Sequence, residues 1–330
     1  MAFIPANEMI FHGWNFYAAP LTAIRKLILY RIFRKITTFC VYAILNQIVL
    51  KNQSTAISLR LRVELLNMIE AIIIGLIQGL TEFLPISSTG HMLIAEKLLG
   101  VQYSDAFNVL IQVGSIAAAI IVFWKDITGY FVNWKSPGTR DYVLKLLAAF
   151  FITGAGGFIA KKCGAKLPET ILPVAIAAIT GAFFILAVEY SAGKKTLNSN
   201  LTWAVVVAVG LGQLSAAVFP GASRSGMAIM GAILVGLARP DAVKFSFLVG
   251  IPTMFAAGGY QLMDAVKTGN TQDLFTPESI VAYAVATVSS FLTVVWLLRF
   301  VQKKNFIPFA WYRLALGTAL IVLFASGVMM

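Results

Sequence analysis

Residues 78–91 read Gln78-Gly-Leu-Thr-Glu82-Phe-Leu-Pro85-Ile-Ser87-Ser88-Thr89-Gly90-His91, a run of polar side chains in the middle of an apolar segment. The apolar residues before it extend from Ala71 to Leu84, and a new apolar run begins near His91. Because proline lacks a backbone N–H and disfavours helix in the preceding residue, a break is expected here. As a helix, residues 71–84 would be about 21 Å long at 1.5 Å per residue, whereas a membrane span needs roughly 20 residues. The stretch therefore predicts a re-entrant hairpin, which enters a membrane and returns to the same face.

A second break of the same kind follows the apolar run Trp203–Phe219, where the chain reads Pro220-Gly-Ala-Ser-Arg-Ser-Gly226. In both breaks a glutamine, Gln78 or Gln213, stands seven residues before the proline. The offset between the two halves stays near 135 residues. We interpret the halves as an internal repeat, each with one hairpin and three spans.

Six further apolar runs are long enough to cross a bilayer. They are about Ala106–Trp124, Tyr142–Ala160, Ile171–Val188, Phe245–Met263, Ser279–Phe300 and Phe309–Val328. The chain is 59% hydrophobic and 12% charged, with a mean hydropathy of +0.83, which excludes a soluble domain. We predict an all-α polytopic membrane protein with six transmembrane helices and two re-entrant helical hairpins. Since three crossings separate the hairpins, they enter from opposite faces, as in an inverted-topology repeat.

The first 67 residues differ from the rest. Their apolar stretch Ile36–Leu50 is short for a span, so residues 1–67 are either a marginal membrane anchor or an upstream extension ahead of a start at Met68. We favour the second interpretation. The polytopic domain is then 68–330, with repeats at about 68–190 and 201–330.

The net charge of +12 lies in short connections between apolar runs, which favours a lipid bilayer over a nucleic acid as partner. One predicted side carries Lys125, Lys135, Arg140, Lys194, Lys195, Arg239, Lys244, Arg299, Lys303 and Lys304. The other carries Lys161, Lys162, Lys166 and Lys267. By the positive-inside rule the first side is cytoplasmic, so the first hairpin opens to the outer face.

The first break concentrates groups that can do chemistry. Gln78 and Glu82 are four residues apart and share one helix face. A carboxylate deep in a membrane is a functional hypothesis by default, and a cation or an arginine would keep it ionised. Ser87, Ser88 and Thr89 precede a new helix, so capping is the alternative role for any one of them. His91 is either a proton carrier or a satisfied core histidine.

The second break carries Ser223, Arg224 and Ser225. A guanidinium binds phosphate bidentately, although pairing with Glu82 alone would also satisfy Arg224. Two helix N-termini and an arginine in one place describe a site for a multiply charged anion such as diphosphate. Gln213 either lines this site or bonds across helices.

The two motifs closely resemble those of the undecaprenyl-diphosphatase family, also called bacitracin-resistance proteins. That family is marked by a (Glu/Gln)-x-x-x-Glu pattern running into Pro-x-Ser-Ser-Thr-Gly-His, and by Pro-Gly-x-Ser-Arg-Ser-Gly. Phe245-Ser-Phe-Leu and Ile251-Pro-Thr-Met also look like the family. The resemblance covers roughly Met68 to the C-terminus.

The resemblance implies an enzyme that hydrolyses undecaprenyl diphosphate to the monophosphate, recycling the lipid carrier of cell-wall synthesis in the bacterial inner membrane. It implies a divalent cation, Mg²⁺ or Ca²⁺, for which we assign Glu82 and Gln78. The expected catalytic residues are Glu82, Ser88, His91 and Arg224. The expected substrate-binding residues are Ser87, Thr89, Ser223, Ser225 and Gln213. Some members have Glu at the position of Gln78. Because a glutamine cannot act as a base, a mechanism that needs two carboxylates is in doubt for this chain.

Three alternatives stay open at this level. A transporter or flippase of a phosphorylated polyprenyl lipid shares the inverted repeat and broken helices. Either Ser88 or a water activated by Glu82 or His91 attacks phosphorus, and we favour Ser88. Association into a homodimer is also open. A lipid phosphatase with a histidine nucleophile is disfavoured, because no His follows Arg224.

Overall fold

The computed structural model describes residues 55–165 and 170–326, and every regular element in this part of the chain is a helix. The elements are α1 Thr55–Thr81, α2 Ser88–Leu99, α3 Asp105–Val122, α4 Trp124–Val132, α5 Pro137–Lys162, α6 Ile171–Ala192, α7 Trp203–Val218, α8 Arg224–Leu234, α9 Arg239–Thr268, α10 Pro277–Phe300 and α11 Ile307–Ala325. Three sequence-based predictions fall wholly or partly outside the described residues: the extension before residue 55, the part of a loop around Lys166, and the end of the last span.

Seven of the described helices are long and apolar enough to cross a membrane: α1, α3, α5, α6, α9, α10 and α11. Six were expected, and the additional helix is α1. The apolar run predicted a short helix from Ala71, whereas α1 has 27 residues and begins at Thr55. The predicted start was wrong because polar residues end an apolar run without ending a helix, and residues 55–74 contain no Gly or Pro. The arms of the second break, α7 and α8, have 16 and 11 residues, short as expected.

The two breaks have the same local structure. Ser87 caps α2 at φ 73° and ψ 95°, and Ser223 caps α8 at φ 70° and ψ 103°. Each serine Oγ accepts a hydrogen bond from a glycine N–H three residues later, at 3.3 Å in both breaks. Positive φ in a residue other than glycine costs about 1–3 kcal/mol and is common at functional sites. Both short helices therefore begin from the same unusual capping conformation.

The long helices pack across the two halves of the sequence. Helix α1 packs on α10, and α7 packs on α5. Helix α3 packs on α9, and α6 packs on α11, so each of these four contacts joins a helix of the first half to one of the second. Small residues allow the α1–α10 approach: a Cβ on Gly79 would lie 2.6 Å from the carbonyl oxygen of Ala286. Neither half therefore buries its helices on its own.

Several basic connections meet at one end of the molecule. Glu189, at the end of α6, forms an ion pair with Arg239 at the start of α9 and accepts the Phe306 N–H at 2.9 Å. Lys244 Nζ of α9 lies 2.6 Å from Asp126 Oδ1 of α4. The loops that the sequence analysis assigned to one side thus lie together.

Candidate active site

Glu82 joins the two breaks. Its Oε1 accepts a hydrogen bond from Arg224 Nη2 at 2.5 Å, across 142 residues of sequence. Its Oε2 accepts from Ser88 Oγ at 2.8 Å and from Gln78 Nε2 at 3.0 Å. The Glu82 side chain is 6% exposed and that of Arg224 is 25% exposed. Four residues expected in the site are therefore in direct contact around one buried carboxylate.

Serine hydroxyls of the second break also form hydrogen bonds to a backbone carbonyl of the first. Ser225 Oγ donates to the Leu84 carbonyl oxygen at 3.0 Å, and Ser223 Oγ lies 3.4 Å from the same oxygen. Ser87 and Ser223 additionally use their Oγ atoms as helix caps. The capping role that the sequence left open for Ser87 is thus the one it performs here, and Ser223 caps α8 in the same way. Thr89 lies half-buried in the first turn of α2.

Arg313 is a residue that the sequence analysis missed. It lies on α11, is 1% exposed, and is the only charged residue of that helix. Its guanidinium donates to five carbonyl oxygens: those of Ala177, Ala178, Pro85, Gly221 and Ala222. It thereby ties the backbones of both breaks to α6. A charged residue inside an otherwise apolar run was the signal that could have found it.

The ring nitrogens of His91 bond to groups other than Glu82. Its Nδ1 lies 2.7 Å from the Ser87 carbonyl oxygen, and its Nε2 lies 2.6 Å from the Tyr312 hydroxyl. Because a carbonyl oxygen can only accept, Nδ1 carries a proton, and in the neutral imidazole Nε2 then accepts from the Tyr312 hydroxyl. The backbone carbonyl of Ser87 and the stacked Tyr312 ring hold the imidazole against α11. Tyr312 was not predicted.

Gln213 both lines the site and bonds across helices. Its Oε1 accepts from Thr253 Oγ1 at 2.8 Å, and its Nε2 donates to the Ser246 carbonyl oxygen at 3.4 Å. It also borders a small, partly open pocket between α7, α8, α9 and the first break. Glu82 and Arg224 are among the polar residues that border this pocket.

A family model described as Bacitracin resistance protein BacA matches residues 71–319 of the chain. The chain belongs to this family. It is 44% identical over 261 residues to an undecaprenyl-diphosphatase of Rhizobium etli (strain CFN 42), covering 79% of this chain and 98% of that relative. It is 46% identical over 257 residues to an undecaprenyl-diphosphatase of Xanthomonas campestris pv. campestris, covering 78% of this chain and 97% of that relative.

The donor set of this BacA-family site can be compared with the needs of a divalent cation. Among residues 55–165 and 170–326 there is no group of three or more His, Cys, Asp or Glu side chains placed to hold a metal. The Glu82 carboxylate, the Gln78 amide and the Ser88 hydroxyl do supply oxygens beside one another. Mg²⁺ is often bound by one or two carboxylates together with phosphate oxygens of the substrate. The residues therefore fit a cation shared with a phosphorylated ligand.

The hydrogen bond from Ser88 to Glu82 could activate the Ser88 hydroxyl as a nucleophile. A nucleophile within about 2.6–3.2 Å of a base is the usual arrangement for activating a hydroxyl. Here the base in reach is Glu82, and Arg224 on the opposite oxygen places a positive charge where a phosphoryl group would develop negative charge. The positive ends of α2 and α8 add to this field.

Proposed function

We propose that this chain is an undecaprenyl-diphosphate phosphatase of a bacterial inner membrane. It hydrolyses the polyprenyl diphosphate to the monophosphate and inorganic phosphate, which recycles the lipid carrier of cell-wall synthesis and confers bacitracin resistance. The observation that carries the proposal is Glu82, whose two oxygens bind Arg224 from one break and Ser88 from the other. The names of the relatives and the apolar helices support the same activity.

In the proposed reaction Arg224 and the N-terminus of α8 bind the terminal phosphoryl group. Ser88 Oγ attacks its phosphorus while Glu82 takes the hydroxyl proton, and the bond to the leaving lipid monophosphate breaks. Water then cleaves the phosphoserine and releases inorganic phosphate. His91 stays a predicted catalytic residue, but because its ring nitrogens bond to Ser87 and Tyr312, the proton of Ser88 is assigned to Glu82.

We also propose that Glu82 and Gln78 hold a divalent cation, Mg²⁺ or Ca²⁺, together with the substrate's own oxygens. The cation would neutralise negative charge on the diphosphate. Within the protein, Gln78 keeps the Glu82 carboxylate oriented by donating from Nε2.

The architecture we propose is an inverted repeat in which each half has one re-entrant hairpin followed by three spans, with the site open to the outer face. Helix α1 is longer than the arm that was predicted for the first hairpin. Two observations support the repeat. Ser87 and Ser223 have the same unusual backbone conformation. The packing pattern is also preserved when the halves are exchanged, since α1 on α10 corresponds to α7 on α5.

The test is phosphate release from polyprenyl diphosphate by purified protein in detergent, where transport between compartments cannot occur. We expect wild-type protein to release phosphate and Arg224→Ala to lose at least ~10²–10³ in rate, the usual cost of one electrostatic donor. Arg299→Ala is the matched control, because Arg299 is exposed at the end of α10. A wild-type protein that binds the lipid but releases no phosphate would favour the transporter instead.

A further inference from the structure

Ser246 has a buried hydroxyl that the proposed mechanism does not use. It lies on α9 in the stretch Phe245-Ser-Phe-Leu and is 3% exposed. Its Oγ has no hydrogen-bond partner among the residues that the structure describes. A buried polar atom without a partner is unfavourable, and such atoms in native proteins call for a ligand or a water.

Ser246 is one of the residues that border the pocket beside Glu82 and Arg224. Ser225 and Gln213 also border this pocket, while Phe83 and Phe247 close it with rings 5.0 Å apart. The wall therefore combines a few polar groups with an apolar surround, as small-ligand sites do.

Gly250 keeps this pocket open. It borders the pocket one helical turn after Ser246, on the same face of α9. A Cβ built on Gly250 would meet no atom within 4 Å. Glycine in the interior of a helix is less favourable than alanine, so its presence beside free space is not explained by packing.

We propose that Ser246 donates a hydrogen bond to a phosphoryl oxygen of the substrate, which occupies this pocket beside Arg224 while Gly250 leaves room for it. The proposal rests on the proposed phosphatase function. Arg224 uses Nη2 for Glu82, and since a guanidinium carries five N–H donors, others can bind the phosphoryl group. Ser246 and Arg224 then offer donors to the phosphoryl oxygens, while Glu82 and Gln78 are the residues proposed for the cation.

Two variants test the proposal. Ser246→Ala removes a hydroxyl that has no partner in the described part of the free protein, so its Tm should stay equal or rise. Its kcat/KM for phosphate release should fall by ~10- to 100-fold, as expected for a hydrogen bond to a charged group. Gly250→Ala should likewise raise Tm, because alanine is the better helix former, and lower kcat/KM by occupying the pocket.

The matched control is Gly259→Ala on the same helix. Gly259 is exposed, and a Cβ there also meets no atom within 4 Å, so this variant should keep wild-type kinetics. Inorganic phosphate serves as the probe for the bound group: its inhibition constant should rise for Ser246→Ala and Gly250→Ala but not for Gly259→Ala.

The outcomes separate the two proposals. Wild-type kcat/KM in both pocket variants would overturn the role of Ser246. A lower kcat with an unchanged inhibition constant for phosphate would overturn the phosphoryl assignment, because it would place a different group in the pocket. If the wild type releases no phosphate, the proposed function fails; titration of inorganic phosphate into the same variants then still decides whether Ser246 binds it.

Discussion

Glu82 organises the site at the scale of single residues, because one buried carboxylate accepts hydrogen bonds from α1, α2 and α8. Its two oxygens have different partners: Arg224 on Oε1, and Ser88 with Gln78 on Oε2. Ser88 is the one hydroxyl bonded to this carboxylate among the described residues. The carboxylate is thus placed both to accept the Ser88 proton and to keep Arg224 in position before the substrate arrives.

This arrangement predicts a severe effect of Ser88→Ala. If Ser88 is the nucleophile, its loss should lower the rate by several orders of magnitude, well beyond the ~10²–10³ that one lost hydrogen-bond donor costs. Phosphate release at saturating substrate measures the loss, and a phosphorylated peptide containing Ser88 should be trapped in a single turnover. A Ser88→Ala enzyme that keeps a few per cent of the rate, while Glu82→Ala does not, would instead assign the attack to water.

The pairing of Glu82 with the second break could be predicted from the sequence, because an intramembrane arginine and carboxylate each need a partner. The positions of His91 and Arg313 could not. Spacing along a helix puts His91 on the face of Ser88 but does not reveal Tyr312, which lies 221 residues away in sequence. The five carbonyl partners of Arg313 likewise belong to distant segments that carry no side-chain signal for the contact.

At the scale of elements, glycines on α1 allow its close contact with α10. A Cβ on Gly79 would overlap the Ser289 side chain and lie 2.6 Å from the Ala286 carbonyl oxygen, which is backbone and cannot rotate away. Because the Ala286 backbone cannot move aside, a side chain at position 79 would force α1 and α10 apart. Because α1 ends directly before Glu82, this contact also sets the position of the carboxylate.

Gly79→Ala should therefore destabilise the protein by about 1–3 kcal/mol, the usual cost of overpacking. Thermal unfolding in detergent, followed by loss of monodisperse protein, measures the effect. Gly154→Ala on α5 is the control, because a Cβ there meets no atom within 4 Å and the residue is exposed. Equal Tm values for the two variants would show that the α1–α10 contact does not limit stability.

Element boundaries show where sequence reasoning succeeds and where it fails. The run Trp203–Phe219 became α7, Trp203–Val218, because Thr202 caps its start and the second break ends it. The start of α1 was missed because hydropathy reports where lipid can surround a segment, not where helix begins. No Gly or Pro separates the polar residues before Ala71 from the apolar ones after it.

At the scale of the whole molecule, the two halves depend on each other. Helix α1, which precedes the first break, packs on a span of the second half, and α7, which precedes the second break, packs on a span of the first. Glu189, Arg239 and Phe306 join three connections at one end, where most loop lysines and arginines also lie. This end is therefore the one expected to face the cytoplasm, and the opposite end carries Cys163.

The orientation can be tested with Cys163, which is exposed in the connection after α5. In a Cys40→Ser background, a membrane-impermeant maleimide should label Cys163 in intact cells, because the positive-inside rule places this connection outside. The matched variant carries Ser136→Cys together with Cys163→Ser. Ser136 is exposed between α4 and α5, at the end with the basic connections, so it should be labelled only after the cells are permeabilised. The reverse pattern would invert the molecule and make the first break open to the cytoplasm, where the site could not act on a lipid diphosphate of the outer leaflet.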